Sequence, residues 1–524
     1  MKSKVDLHLH SKYSLKSPEW LLRKVDFPHC KTEPEAIYQE LKKQGMDFVT
    51  ITDHDSIDGC LEIAHHPDTF ISEEVTSFFP EDHCQVHLLV WGIDESHHTA
   101  MQGLRRSVYE LSAYLREESL VHAVAHPLAC YDTHYSGDHF EKLLLLFDHF
   151  ETVNGQMDSL YSEVIERVLP HVTQATIERL SDKHGIELHG STPWIKHATG
   201  GSNDHSGLKL GMAFTETPFC ENSERFLTLL REGDCEACGE CGSSMSIAHT
   251  VYKNAYHFLE GNLLSSSRGP ALALFGKVLR RFIEGENPTS LSLGEKFAVI
   301  AESIKSGKVL ELAKSGSSPL VREIASMVSA QAFQEELREV IDAETLPERR
   351  AFAAANLIAD RLAFHFFEAI TGKVREGRML ECLEQIGSLL PMAAALAPYG
   401  YAFFSQTARL DRLRGLTAGV VGREFPLLMQ DRRAWFTDTL YDVNGVSTTI
   451  RKMTSEAKKA GKDLTVITCS QNGSIADLPI QNFEPIGEYE VPEYEMQKVA
   501  FPPILRILDY VQQQRFHEII ISTP

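Results

Sequence analysis

The sequence predicts an α/β protein whose first half alternates strands and helices, followed by an all-α region and a partial Rossmann-like α/β segment. From residue 1 to about 250, short apolar strands alternate with amphipathic helices, which indicates a parallel sheet or barrel with polar residues at the strand C-termini. The strand signal disappears between about 250 and 420 and returns near residue 430. We therefore expect domains at 1–250, 251–425 and 426–524.

The first elements show this alternation clearly. Thr32-Glu33-Pro34-Glu35 has the pattern of a capping box with proline in the first turn, so a helix is expected to begin there and to end at Gly45. A strand is expected over 47–52, and the polar residues Asp53-His54-Asp55 follow its end. The later predicted elements are strand 85–91, helix 104–118 and a strand over 122–126 that stops at Pro127.

The other two regions differ in their apolar spacing. Between 250 and 420, apolar residues recur at spacings of three and four, which predicts helices over 271–284, 293–305, 320–343, 348–371 and 376–390. The last region predicts strands over 434–439, 463–468 and 518–522, a turn at 444–446 and a helix over 448–460.

Composition restricts the class of function. The 524 residues carry a formal net charge of −22, which argues against a nucleic-acid partner because there is no basic excess to neutralise phosphates. The first residues run into a strand without an apolar leader, and the most apolar stretch, 389–404, is interrupted by prolines. We expect a cytoplasmic protein without a membrane span, whose ten cysteines are reduced.

His8 and His10 are the most informative pair of residues. On a strand, alternate side chains point to the same face, so both imidazoles are expected to project together from the end of the first strand. This is a metal-ligand arrangement, although His-x-His also occurs by chance as a polar strand end. Further histidines and acids at later strand ends strengthen it.

These further candidates share a position at or near the end of a predicted strand. Mixed imidazole and carboxylate ligands suit Zn, Mn or Fe rather than Ca. Glu73 is expected to point away from its neighbour Glu74 by strand alternation, which favours Glu74 as the ligand. The candidates are His54, Glu74, His87, His126, Asn203 and His205.

The order His-x-His, Thr-Asp-His-Asp, Glu, Val-His-x-Leu, Ala-His-Pro and Gly-Ser-x-x-His resembles the polymerase-and-histidinol-phosphatase (PHP) family of metal-dependent phosphoesterases. The resemblance covers roughly residues 1–250 and implies a distorted (β/α)7 barrel with two or three divalent metal ions at its mouth. Residues 435–439 and 442–446 resemble the opening of a glycosyltransferase, so the chain is similar to PHP domains fused ahead of such an enzyme.

Carried over by motif, the resemblance implies three groups of metal ligands. His8, His10 and Glu74 match the first metal, Glu74 bridges to a second that His87 and His126 complete, and His54 and His205 match a third. This chain departs from the family pattern at two places. Leu15 or Lys16 stands where many members carry a ligand, and Asn203 replaces a carboxylate, so Asn203 could ligate through its oxygen or Asp204 could turn inward.

The implied activity is hydrolysis of a phosphoester of a small substrate by a metal-activated water. His205 or Asp55 is the expected proton donor to the leaving group. Lys12, Lys196 and His197 are candidates for holding a second anionic group of the substrate.

Two alternatives remain open at this stage. The PHP region could be a non-catalytic or regulatory module whose helical region docks a partner or the missing transferase, or the chain could be half of a split glycosyltransferase that needs a separate partner chain. A glycosyltransferase partner or a homo-oligomer is the expected assembly. Cys235, Cys238 and Cys241 have metal-site spacing, with Cys220 or His249 as a possible fourth ligand, but a glycine-rich loop is the favoured interpretation.

Overall fold

The computed structural model describes residues 2–14, 30–129, 132, 134–259, 280–281, 330–375, 390–406, 410–427, 431–471, 475, 477–490 and 498–522. Leu15 and Lys16 lie outside these residues, as do all or most of the helices predicted over 271–284, 293–305 and 376–390. The chain forms two compact units, Met1–Asn262 with Ala408–Leu427, and Leu263–Thr407 with Leu428–Pro524.

The strands of the first unit form two sheets. In the larger sheet, in the order β2-β3-β4-β5-β6, the first three strands are antiparallel and the last three are parallel. The smaller sheet, β1-β7-β8, is antiparallel. The strands are β1 Lys2–Val5, β2 Ser72–Phe78, β3 Gln85–Trp91, β4 Val121–Val124, β5 His149–Asn154, β6 His197–Gly201, β7 Ala213–Pro218 and β8 Glu236–Gly239.

This arrangement confirms the α/β class. Within the described residues the two sheets do not close into a barrel, so the seven-stranded barrel stays a prediction. The helices of this unit are α1 Pro34–Lys43, α2 Asp58–Ile63, α3 Glu95–Leu104, α4 Val108–Glu117, α5 Gly137–Leu146, α6 Ser159–Val168, α7 Gln174–His184, α8 Ser223–Glu232, α9 Ser244–Leu259 and, from the later segment, Leu410–Val421.

Two helix boundaries differ from the sequence-based expectation. Helix α1 is preceded by Glu33, which makes no side-chain cap, so the capping box predicted from Thr32 is wrong. The helix predicted over 104–118 is α4, which begins at Val108 because Leu104 ends α3 and Ser107 caps α4 by accepting a hydrogen bond from the Glu110 N–H.

The segment over 47–52, predicted as a strand, is extended but makes only an isolated bridge, between Val49 and Thr69. Main-chain bonds such as that from the Thr52 N–H to the Leu9 carbonyl at 2.9 Å alternate here with bonds to side chains. The Leu9 N–H donates to Thr52 Oγ1 at 3.0 Å, and the Ile51 N–H donates to Cys60 Sγ at 3.3 Å. The segment nevertheless runs beside β2 and places His54 opposite Glu74.

Apolar packing holds the segment that carries His8 and His10. Trp91 and Phe226 are fully buried in one core cluster, and Trp91 Nε1 donates to the carbonyl of Leu7 at 3.0 Å. Burying such a side chain contributes roughly 2–3 kcal/mol. This core therefore holds the segment that carries His8 and His10 against β3.

The second unit contains a parallel sheet in the order β11-β10-β9-β14 and an antiparallel pair, β12-β13. Asn444, expected in a turn, instead caps a helix by accepting a hydrogen bond from the Ser447 N–H at 2.8 Å. Among the described residues, no helix has both the length and the apolar content needed to cross a bilayer. The elements are β9 Arg432–Phe436, β10 Asp463–Cys469, β11 Ile480–Phe483, β12 Gly487–Glu490, β13 Lys498–Phe501, β14 Glu518–Ile521, and helices Gln331–Asp342, Pro347–Arg375, Leu390–Gln406, Gly445–Lys459 and Ile504–Gln514.

Candidate metal centre

Glu74 is fully buried, and five imidazoles converge on its carboxylate. Each of its two oxygens is contacted by more than one ring nitrogen. Oε1 lies 2.9 Å from His87 Nδ1 and 3.2 Å from His126 Nε2. Oε2 lies 3.0 Å from His54 Nδ1 and 3.3 Å from both His8 Nε2 and His10 Nε2.

The backbone explains this convergence. Strand β2 carries Glu74 and forms a parallel bridge with His54, while β3 pairs antiparallel with β2 and carries His87. His126 follows the end of β4, where Pro127 stops the strand. Leu9 bridges to Asp204, so that the alternation of an extended chain turns the histidines on either side of it toward the same space.

The charges of the cluster are strongly coupled. Burial alone would raise the pKa of Glu74, but the imidazoles of His54, His8 and His87 outweigh it and hold the pKa well below its ordinary value. Burial would lower the pKa of His8, but the carboxylates of Glu151 and Glu74 raise it to about 10. Burial lowers the pKa of His126.

The donor atoms form two groups in which all ligand atoms lie within 4.8 Å of one another, namely His8-Glu74-His126 and His10-His54-Glu74. Every member is buried, and imidazole with carboxylate is a donor set that binds Zn, Mn or Fe. These residues therefore fit a pair of divalent cations that share Glu74. The motif-based assignment, which paired His8 with His10 and His54 with His205, stays a prediction, and these two groups offer a different pairing of the same histidines.

Asn203 and His205 complete the cluster from the loop after β6. Asn203 Oδ1 lies 3.2 Å from His10 Nε2, whereas Asp204 Oδ1 accepts hydrogen bonds from the N–H and O–H of Ser206. The carboxamide, and not the neighbouring carboxylate, therefore contacts His10. The His205 ring stacks on His10 at 4.0 Å and is only half-buried, so it lies at the solvent side of the cluster.

Three residues of this region have a left-handed backbone. The φ angles are 53° at Asp55, 32° at His126 and 49° at Asn203. Such conformations are costly for residues other than glycine and concentrate at functional sites. Asparagine and aspartate tolerate this region, so His126 is the residue that the fold holds against its local preference.

Asp55 is less suited to proton donation than the sequence suggested. One carboxylate oxygen accepts a hydrogen bond from the Thr76 N–H at 2.8 Å, and the other contacts the Arg105 guanidinium. Both oxygens of Asp55 therefore already have N–H partners. His205 remains the candidate donor.

The three candidates for binding a second anion lie in different places. Lys12 is close to His10 in the chain, but its Nζ contacts the carboxylates of Glu33 and Glu62. Lys196 is bonded to the carbonyl of Phe147 at 2.7 Å and to Asp148 at 3.0 Å.

His197 begins β6, at the end of the strand opposite the loop that carries Asn203. The length of β6 separates the two by roughly 13 Å. The structure therefore does not bring Lys196 and His197 to the cluster.

Two buried acids that motif reasoning missed organise the ligands. Glu151, in the middle of β5, contacts His8 Nδ1 at 2.8 Å and accepts from the His126 N–H at 2.8 Å. Asp6 accepts from the main-chain N–H groups of Ser202 and Gly211, both at 2.8 Å, and burial raises its pKa to about 6. An acid between the apolar Phe150 and Val153, in a short strand, was the available signal for Glu151.

A small pocket lies beside the cluster. His87 and His126 form one side of it, and Gln85, Val124, Tyr135 and Leu143 contribute to the remainder. The pocket gives a small group access to two of the imidazoles that contact Glu74.

The three cysteines with metal-site spacing do not come together. Cys238 lies on β8, so the expected loop is wrong at this position. Cys241 Sγ contacts Ser162 Oγ at 3.0 Å, while Cys235 Sγ donates to the carbonyl of Ala198. Within the part of the chain that the structure describes, these thiols form no joint ligand group.

Comparisons with known proteins give little support to any finer assignment. No family model matches the chain. An uncharacterized protein of Methanocaldococcus jannaschii is 44% identical over 59 residues, which are 11% of this chain and 33% of that protein. The chain thus spans about a third of the length of the curated relative it matches.

Three solved structures share 14–15% sequence identity with this chain. A Bifidobacterium adolescentis protein provisionally described as a metal-dependent phosphoesterase has a TM-score of 0.27 over 43% of this chain and 96% of its own. PsfC from Pseudomonas syringae has a TM-score of 0.30 over 49% and 98%, and an amidohydrolase from Chromobacterium violaceum 0.26 over 43% and 96%. These scores are too low to establish a common fold.

Proposed function

We propose that the first unit is a metal-dependent hydrolase that cleaves a phosphoester of a small substrate, as the PHP resemblance implies. The observation that carries the proposal is the convergence of five imidazoles on the buried Glu74 carboxylate. Such a concentration of nitrogen donors around one acid is expensive to bury without a cation to bind them.

The residues have distinct roles in this proposal. His8 and His126 would hold one cation and His10 and His54 would hold the other, and Glu74 belongs to both groups. Divalent Mn, Zn or Fe in such a site activates water and neutralises phosphoryl charge. His87 lies against Glu74 and borders the pocket beside the cluster.

His205 is the proton donor of the proposed reaction. Its ring is half-buried at the solvent side of the cluster and stacks on His10, so it is accessible to a leaving group. Imidazole titrates near neutral pH, which suits transfer of a proton to a departing alkoxide.

The test is a panel of phosphomonoesters and phosphodiesters, assayed with the full chain after metal removal and after addition of Mn²⁺ or Zn²⁺. We expect metal-dependent hydrolysis that the His8→Ala/His10→Ala variant lacks. Carboxamide substrates belong in the same panel, because their cleavage in place of phosphoesters would contradict the substrate class. A protein that binds metal and hydrolyses nothing above the variant would instead support the non-catalytic module.

A further inference from the structure

Glu151 is a buried carboxylate in the middle of β5, only 2% exposed. Each of its two oxygens contacts a histidine of the cluster around Glu74. Oε1 lies 2.8 Å from His8 Nδ1. Oε2 accepts hydrogen bonds from the main-chain N–H of His126 at 2.8 Å and from Asn154 Nδ2 at 2.9 Å. One acid thus holds two residues of the same candidate metal group.

The orientation of the His8 ring gives this contact a chemical consequence. Nδ1 faces Glu151 and Nε2 faces Glu74. An Nδ1–H that donates to a carboxylate leaves the lone pair on Nε2, and the charge of the carboxylate increases the basicity of that nitrogen. Glu151 therefore favours the form of His8 that ligates a cation next to Glu74.

Glu151 acts on His126 through the backbone. The His126 φ of 32° is unfavourable for a side chain with a Cβ, and the hydrogen bond from its N–H to Glu151 stabilises this conformation. The ring of His126 is thereby held where Nε2 contacts Glu74.

Ser14 makes the equivalent two contacts in the His10-His54-Glu74 group, but its side chain carries no charge. Its hydroxyl contacts His10 Nδ1 at 3.1 Å and accepts from the main-chain N–H of His54, also at 3.1 Å. A hydroxyl polarises an imidazole less than a carboxylate does, because it carries no net charge. The two groups therefore differ in the charge of the residue that orients their histidines.

We infer that Glu151 is a positioning residue that makes the His8-Glu74-His126 group the tighter of two metal sites, a proposal that rests on the metal-dependent function above. Motif comparison gave no role to Glu151. The asymmetry predicts two separate binding steps, and the tighter step is the one that depends on Glu151.

The experiment is a Mn²⁺ titration of the metal-free full chain, followed by equilibrium dialysis and metal analysis. For Glu151→Gln we expect the tighter step to weaken roughly 10- to 100-fold, the usual effect of losing such an outer carboxylate, while the weaker step changes little. Ser14→Ala should affect the weaker step alone.

Glu141→Gln is the matched control. Glu141 is also a buried acid of the first unit and lies 2.5 Å from His184 Nε2, in a separate group with Asp138 that could itself hold an ion, so a third Mn²⁺ step lost in this variant is assigned to that group and not to the cluster around Glu74. Both binding steps should keep their wild-type affinity in this variant. Circular dichroism and the thermal midpoint of each metal-free variant establish that it is folded.

Glu151→Asp provides a second variant in case Glu151→Gln does not fold. It keeps the charge but shortens the reach, and a loss confined to the tighter step would again support the inference. Unchanged affinities, or an equal loss in both steps, would overturn the role of Glu151 and leave the proposed function standing. Wild-type protein that binds no Mn²⁺ or Zn²⁺ would overturn both.

Discussion

His54 and Glu74 are joined twice, by a parallel bridge between their backbones and by a 3.0 Å contact between Nδ1 and Oε2. The bridge fixes the position of one ligand relative to the acid that the other ligands share. Since the Asp55 N–H also donates to the Glu74 carbonyl at 3.0 Å, the chain reversal after His54 is held by the same residue. The geometry of the cluster thus originates in the pairing of two segments, and the following predictions depend on it.

Replacing His205 should distinguish a proton donor from a metal ligand. We expect His205→Gln to reduce kcat roughly 10²- to 10⁴-fold for an alkyl phosphoester, because a poor leaving group needs the proton. A nitrophenyl ester, whose leaving group departs as a stable anion, should lose much less. Equal losses for the two substrates would show that His205 acts elsewhere in the site.

Asn203→Asp tests the departure from the family pattern. The carboxamide oxygen lies 3.2 Å from His10 Nε2, and aspartate tolerates the φ of 49° at this position. An added negative charge beside this group should strengthen its cation binding roughly tenfold. The measurement is the affinity of the weaker Mn²⁺ step, and a decrease would show that the carboxamide is required there.

Gly201 should not tolerate a side chain. A Cβ at this position would lie 2.4 Å from the Cβ of His8 and 2.6 Å from its main-chain nitrogen. Gly201→Ala should therefore displace His8, cost about 1–3 kcal/mol in unfolding free energy and weaken metal binding.

Gly103→Ala is the matched control for this prediction. Gly103 lies in helix α3, and a Cβ there would meet no atom within 4 Å. Its thermal midpoint should stay the same or rise, since alanine favours a helix by up to about 1 kcal/mol relative to glycine. Similar thermal and metal-binding behaviour of the two variants would contradict the steric argument.

His149 should make the first unit sensitive to acid. Burial, together with the neighbouring His197 and His122, lowers the pKa of His149 to about 4. Its unfolded pKa is near 6.5, so between pH 6.5 and about 4 the unfolded chain binds a proton that the folded chain does not. The folded state is therefore progressively destabilised as the pH falls through this window, by about 2 kcal/mol between pH 7 and 5.

His149→Gln removes this proton uptake and keeps a donor for the Leu230 carbonyl, which His149 Nε2 contacts at 2.7 Å. Hydrogen exchange of peptides covering β5 should show a smaller loss of protection between pH 7 and 5 in the variant, after correction for the intrinsic rate. An identical loss in both proteins would exclude His149 as the cause.

Regular elements with strong periodicity were predictable from the sequence. Strand β3 occupies the expected residues 85–91, and β10 and β14 lie within one residue of their predicted ends. The segment over 47–52 was predicted less well, because Thr52 and Cys60 replace ladder bonds with side-chain bonds. Local apolar alternation does not reveal which groups satisfy a backbone N–H.

The residues of the cluster were predictable where they follow the end of a strand. Which of them lie together, and which acids contact them, was not predictable. The structure places His8, His54 and His126 around Glu74, whereas the pairing of His8 with His126 depends on sheet order. Glu151 was missed because its partner His8 is 143 residues away. Lys196 and His197 were predicted to hold an anionic group of the substrate, but Lys196 contacts Asp148, and the length of β6 lies between His197 and the loop that carries Asn203.

Anomalous diffraction from crystals of the full chain, recorded at the Mn and Zn absorption edges, tests the central claim most directly. The account predicts two peaks that share Glu74, one beside His8 and His126 and the other beside His10 and His54. Absence of any peak at Glu74, or peaks confined to the exposed Glu35-His65-His66 group, would contradict it.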